Sequence, residues 1–161
     1  MILNKIIKII LFLLSLNIIS CSFISNNKPN LYLNNSNYIC STSSGIFQKI
    51  SKEILFNNNY SIATYDVKPT YIQINTNWKN QELFDTELSN QFSKARTKII
   101  LTASVERNKD FKFNPNMYDC YIEIINQVYD GTEWKQINLS NKLINLLNDL
   151  SNDIRSGIQN Y

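Results

Sequence analysis

Hydrophobic and polar positions change their period several times along this chain, and each change marks an element. Ile46, Phe47, Ile50, Ile54 and Leu55 recur at three- and four-residue spacing, which predicts a helix over Ser41 to Phe56, because residues so spaced share one helical face. The Ser/Thr cluster at its start can supply a cap, and Asn57-Asn58-Asn59 stops it. Tyr60 to Val67 reads as a strand and Lys68-Pro69 as a break. Thr70 to Trp78 then alternates, placing Ile72, Ile74, Thr76 and Trp78 on one side. Lys79 to Lys94 is polar, and Leu83, Phe84, Leu88 and Phe92 allow either a weak amphipathic helix or a mobile loop. From Arg96 the alternation is clean: Ile99, Leu101, Ala103 and Val105 point one way, Lys98, Thr102, Ser104 and Glu106 the other. Asn108 to Asn116 is a turn-rich connection.

Tyr118 to Tyr129 is the next strand, with Cys120, Ile122, Ile124 and Val128 on one face and Tyr121, Glu123, Ile125, Gln127 and Tyr129 on the other. Asp130-Gly131 lies between two extended runs, and a two-residue type I′ turn there predicts a hairpin that pairs Gln127 with Trp134. Ser140 to Ile158 is the strongest helix. Leu139, Leu143, Leu146, Leu147, Leu150 and Ile154 form its apolar stripe, and Gly157 marks its end. Two amphipathic helices and a one-sided sheet bury their apolar faces most simply as a two-layer sandwich. The expected fold is α+β: an antiparallel sheet of about four strands, with an N-terminal and a C-terminal helix packed on one face.

The start of the chain obeys different rules. A short positive stretch carrying Lys5 and Lys8 precedes an apolar run from Ile9 through Leu14, then Ser15 to Ser20 before Cys21. The run is shorter than the roughly 20 residues that cross a bilayer as a helix, so residues 1–20 read as a removable signal peptide. Ile18-Ile19-Ser20-Cys21 resembles the lipobox of bacterial lipoproteins. That resemblance implies a Cys21 thiol joined to diacylglycerol, cleavage before Cys21 and acylation of the new amino terminus. Two or more acyl chains anchor a protein stably where one alone holds only marginally. The competing reading is a secreted protein in which Cys21 is incidental. By analogy with enterobacterial lipoproteins, Ser22 in place of aspartate favours the outer membrane, on its periplasmic side or at the cell surface. Residues 22–37 are rich in Ser and Asn and read as a flexible tether, in which Leu31-Tyr32-Leu33 could add an edge strand. Residues 38–161 then form a single domain.

Composition mainly excludes. Two of the 16 basic residues lie in the signal, so the remainder nearly balances the 13 acidic ones, and no clustered basic face announces a nucleic-acid partner. The abundance of Asn, Ile, Lys and Tyr reflects AT-rich codons. With no histidine, the commonest general base and metal ligand is missing, and three glycines cannot build a glycine-rich phosphate cradle. Glu82, Asp85 and Glu87 cluster in sequence, but acids on a polar segment usually form a solvated face; Asp110, Asp119 and Asp130 are scattered. The expectation is a noncatalytic protein without metal or cofactor.

Two features remain. With Cys21 lipidated, Cys40 and Cys120 are left as a pair. They are either a disulfide, which an extracytoplasmic compartment permits, or buried free thiols. Tyr121, Ile125, Tyr129 and Trp134 share the sheet face that the helices should leave open. They are either a partner surface, since aromatics are favoured at interfaces, or ordinary cross-strand pairs. The order of elements after the lipidated cysteine also resembles the lipopolysaccharide-assembly lipoprotein of the outer-membrane translocon, whose Cys-Gly-Phe start is loosely similar to Cys21-Ser22-Phe23. That layout implies an accessory or scaffold subunit of an envelope machine with an envelope protein as partner. The alternative is a surface-exposed lipoprotein that binds a host molecule or small ligand.

Overall fold

A computed structural model describes residues 36–84, 87, 92–105 and 116–161. The signal peptide, Cys21 and Leu31-Tyr32-Leu33 lie outside them, as does most of the 108–116 connection. Among the described residues the order is β1 (Ser36–Thr42), α1 (Ser44–Asn57), β2 (Ile62–Lys68), β3 (Tyr71–Thr76), β4 (Lys79–Gln81), β5 (Lys94–Ser104), β6 (Tyr118–Tyr129), β7 (Trp134–Ile137) and α2 (Asn141–Gln159). The fold is α+β, and its antiparallel sheet has seven strands rather than about four. The main path runs β1-β6-β5-β3-β2, with β4 paired to β5 and β7 to β6. Some of the extra strands come from short stretches whose alternation spans too few residues to stand out.

The first correction is at β1. The helix expected from Ser41 begins at Ser44, and Ser36 through Thr42 pair with β6 instead. The expected tether boundary at residue 38 therefore falls inside a strand. Side-chain oxygens at Ser41 and Thr42 suit a helix cap, but Ser43 takes the N-cap position, with extended backbone and no side-chain capping bond. The other end of α1 follows its sequence closely. Asn59 adopts a left-handed φ of 58°, the Asn59 amide donates to the Phe56 carbonyl, and the Tyr60 amide donates to that of Leu55. This pair of bonds is the Schellman motif, which asparagine tolerates better than branched residues.

Alternation decides the long strands. On β3, Ile72, Ile74 and Thr76 are buried; on β5, Ala95, Thr97, Ile99, Leu101 and Ala103; on β6, every even position from Tyr118 to Val128. Register pairs β5 and β6 residue for residue, from Lys94 opposite Tyr129 to Ser104 opposite Asp119. Phe47, Ile50 and Leu55 of α1 and Leu147, Leu150 and Ile154 of α2 belong to the same hydrophobic cluster as Ile72, Ile99, Leu101 and Ile122. α2 is capped by Ser140, whose hydroxyl accepts from the Leu143 amide at 3.4 Å.

Gly157 does not end α2, which continues to Gln159. A Cβ built there would lie 2.8 Å from Cγ2 of Ile50. The residue is a glycine because α1 and α2 approach closely at that point, a requirement set by tertiary contact and invisible to a capping rule.

The Asp130-Gly131 hairpin is also longer than expected. Tyr129 lies directly opposite Trp134, and Gln127 pairs with Gln136 rather than Trp134. The Asp130 carboxylate accepts from the Thr132 and Glu133 amides and from the Thr132 hydroxyl, which closes a four-residue loop around Gly131 at φ 100°. The shift is two residues, so Trp134 keeps the face the alternation assigned to it.

Candidate functional site

The outer positions of β5 and β6 are half-buried, opposite in orientation to the core positions. Tyr121, Ile125 and Tyr129 all point this way, and Trp134 joins Tyr129 across the β6–β7 ladder with ring centroids 5.4 Å apart. The four do not form one patch. Eight residues of strand separate Tyr121 from Tyr129, about 27 Å at the usual rise. Tyr121 instead packs edge-on against Tyr38 of β1 at 5.6 Å, and Ile125 lies between the two groups opposite Lys98.

The Trp134 end carries most of the chemistry. The Arg96 guanidinium sits 3.9 Å from the Trp134 ring centroid and 4.4 Å from that of Trp78. Its Nε and Nη2 both donate to Oε1 of Gln127, at 3.0 and 2.7 Å, which fixes the plane of the guanidinium. Each ring presents its electron-rich face to the cation. Trp78 was expected beside Ile72, Ile74 and Thr76. It lies beyond the end of β3 and is 36% exposed; the chain continues along β5 into β4 with its register displaced by one residue, which moves the indole to the face of Arg96. Lys94, Arg96 and Lys98 alternate along β5 and so make a basic row beside the aromatics. Arg96 and Trp78 carry no motif. The alternation of Lys94, Arg96 and Lys98 was the signal that could have revealed the row, whereas the proximity of Trp78 depends on a one-residue register slip between β3 and β4 along β5.

Of the clustered acids, Asp85 lies outside the described residues, and Glu87 is 1% exposed instead of facing solvent. Its carboxylate accepts from the Phe84 amide at 2.9 Å and from Nδ2 of Asn126 at 2.8 Å, while Gln81 donates to Asn126 Oδ1. These bonds satisfy polar groups at the end of the core, and among the described residues none of them links Glu87 to a nucleophile or a second acid. Burial holds the Glu123 carboxyl above its ordinary range. Asp119 accepts from Ser41 at the far end of β6, and Asp130 belongs to the hairpin. Among the described residues no three His, Cys, Asp or Glu side chains gather as a metal site.

Cys40 and Cys120 are register partners on β1 and β6. Cys120 is fully buried, Cys40 partly, and both are free thiols. A polar groove of about 580 Å³ between β1 and α2 is lined by Asn37, Tyr38, Asn148, Asn152 and Arg155. Among the described residues no helix is long and apolar enough to cross a membrane. No protein-family model matches the chain, and no curated protein matches it.

Proposed function

We propose that this protein is a lipoprotein anchored through Cys21 to the outer membrane, and that it works as a noncatalytic docking subunit of a cell-envelope assembly. The reading rests on the Arg96-centred aromatic patch. Trp78 and Trp134 lie against the Arg96 guanidinium, and Tyr129 packs on Trp134, on the sheet face turned away from the hydrophobic cluster. Tryptophan, tyrosine and arginine are the residues that dominate binding energy at protein interfaces. Lys94 and Lys98 flank the patch, so the fitting partner is a protein surface that offers carboxylates around an apolar centre. The two-layer arrangement belongs to the same reading: both helices cover the buried sheet face and leave this one open. The shared core cluster and the Gly157–Ile50 approach support it.

The test is crosslinking and affinity purification of the full-length protein from native membranes, beside Cys21→Ala, Trp134→Ala and Arg96→Ala. A specific envelope partner that is reduced by Cys21→Ala and lost in the two patch variants supports both halves of the reading. A partner retained by Trp134→Ala and Arg96→Ala removes the patch from the reading. Equal solubility of wild type and Cys21→Ala removes the anchor.

A further inference from the structure

Two cysteines 80 positions apart in the chain have become direct neighbours across a ladder. β1 pairs antiparallel with β6, and the register places Cys40 opposite Cys120, between Tyr38 opposite Tyr121 and Ser41 opposite Asp119. Ile39 is the additional residue of a bulge between Tyr38 and Cys40, so Ile39 and Cys40 both reach the hydrophobic cluster. Directly opposed residues of an antiparallel pair have Cα atoms about 4.5–5.5 Å apart and side chains on the same face. Disulfides span about 4.4–6.8 Å between Cα atoms, a range that includes this ladder spacing.

We infer that Cys40 and Cys120 are an oxidation site, forming a cross-strand disulfide that fastens the first strand, β1, to β6 inside the sheet. β1 stands at one end of the main path and its ladder is interrupted by the bulge, so a covalent link to β6 would hold it where the hydrogen bonds are broken. This goes beyond the docking reading and does not rest on it.

The two thiols differ in access, which sets the order of events. Cys120 is fully buried and its Sγ donates to the Tyr118 carbonyl at 3.4 Å. Burial, then the neighbouring Cys40 and Asp119, push its thiol far up. Cys40 is only partly buried; burial raises it too, but the Arg155 guanidinium, held by the Ile39 carbonyl at 2.9 Å, works against that rise. Thiolate is the attacking form, so Cys40 reacts first. With glutathione disulfide as the oxidant, the Cys40 thiolate attacks one sulfur and expels one glutathione thiolate. Cys120 then gives up its proton and attacks the Cys40 sulfur, expelling the second glutathione. Two protein thiols are oxidised and one glutathione disulfide is reduced to two thiols.

The experiment uses the full chain purified from membranes, incubated with glutathione disulfide or with dithiothreitol, then unfolded and alkylated. Intact mass and peptide mapping follow. The expected product after oxidation is a monomer 2 Da lighter, resistant to alkylation at Cys40 and Cys120, with the two peptides joined. Its Tm should exceed that of the reduced protein by roughly 5–15 °C, as expected for a bond that closes a long loop. Cys40→Ala and Cys120→Ala should each lose the oxidant-dependent Tm shift, and amide exchange in β1 should slow on oxidation of the wild type only. Full alkylation of both cysteines after oxidation, with circular dichroism unchanged, overturns the inference. So does a bridge that joins either cysteine to Cys21 or to a second chain.

Discussion

Replacing Gly157 by alanine tests the helix–helix approach through the sign of its effect. In an open helix interior, Gly→Ala stabilises by about 1 kcal/mol, because alanine has less backbone freedom to lose. At position 157 the new Cβ would meet Ile50 Cγ2 at 2.8 Å, whereas carbon atoms pack best at about 3.5–4.0 Å. The helices must separate by roughly 1 Å or Ile50 must leave its rotamer, and overpacking of that kind costs about 1–3 kcal/mol. Ile50 is 7% exposed, packed in the core cluster and branched at Cβ, so it has little freedom to move aside. The net expectation is a loss of about 1 kcal/mol, within the 0–2 kcal/mol left when the two effects are combined. Ile50→Ala removes the clashing methyl group at a cost of about 2–4 kcal/mol by itself. In that background Gly157→Ala should become stabilising by about 1 kcal/mol, giving a coupling of about 2 kcal/mol between the two positions. Urea unfolding of the full chain in detergent, followed by fluorescence of Trp78 and Trp134, measures all four proteins, with equal m-values showing that only stability has changed. Stabilisation by Gly157→Ala in the wild-type background, or the same effect in both backgrounds, refutes the close approach.

Ser140→Ala should lower stability by about 0.5–1 kcal/mol in the same assay, the lower part of the usual range because the capping bond to Leu143 is long at 3.4 Å. Arg96→Ala should cost about 1 kcal/mol, the worth of a half-exposed cation between two rings, and should shift tryptophan emission; Arg96→Lys should recover only part of both, lacking the flat fork that Gln127 holds. The Lys135 ammonium, the Glu133 and Thr132 amides and the Thr132 hydroxyl hold the Asp130 carboxyl well below its usual range. A depressed folded value stabilises the hairpin above the unfolded carboxylate range and loses that contribution as pH falls through it. The protection factors of the Thr132 and Glu133 amides should therefore fall progressively once the pH drops below about 4 and keep falling toward about pH 2, and Asp130→Asn should flatten that dependence.

What was legible in the sequence was what depends on neighbours along the chain. Alternation on β5 and β6 and the three-to-four spacing on α1 and α2 named the buried side chains, because a strand repeats every two residues and a helix every 3.6. The Asn57-Asn58-Asn59 stop was equally local: asparagine reaches left-handed φ at little cost, and Asn59 does so here. The shared face of Tyr121, Ile125, Tyr129 and Trp134 followed from the same parity, and it survived a hairpin register displaced by two residues. Tertiary structure decided the rest, because it depends on which distant segments meet. Ser36 to Thr42 does not alternate cleanly, because a bulge interrupts it, and it becomes a strand by pairing with β6. Gly157 is a glycine on account of Ile50, more than 100 positions earlier. Arg96 acquires its meaning only when β4 and β7 bring Trp78 and Trp134 to either side of it. The sequence left Cys40 and Cys120 as a pair that could be a disulfide or two free thiols; the β1–β6 register set them opposite each other, since hydrogen-bonded ladders bring together residues whose separation along the chain carries no information about their distance in space.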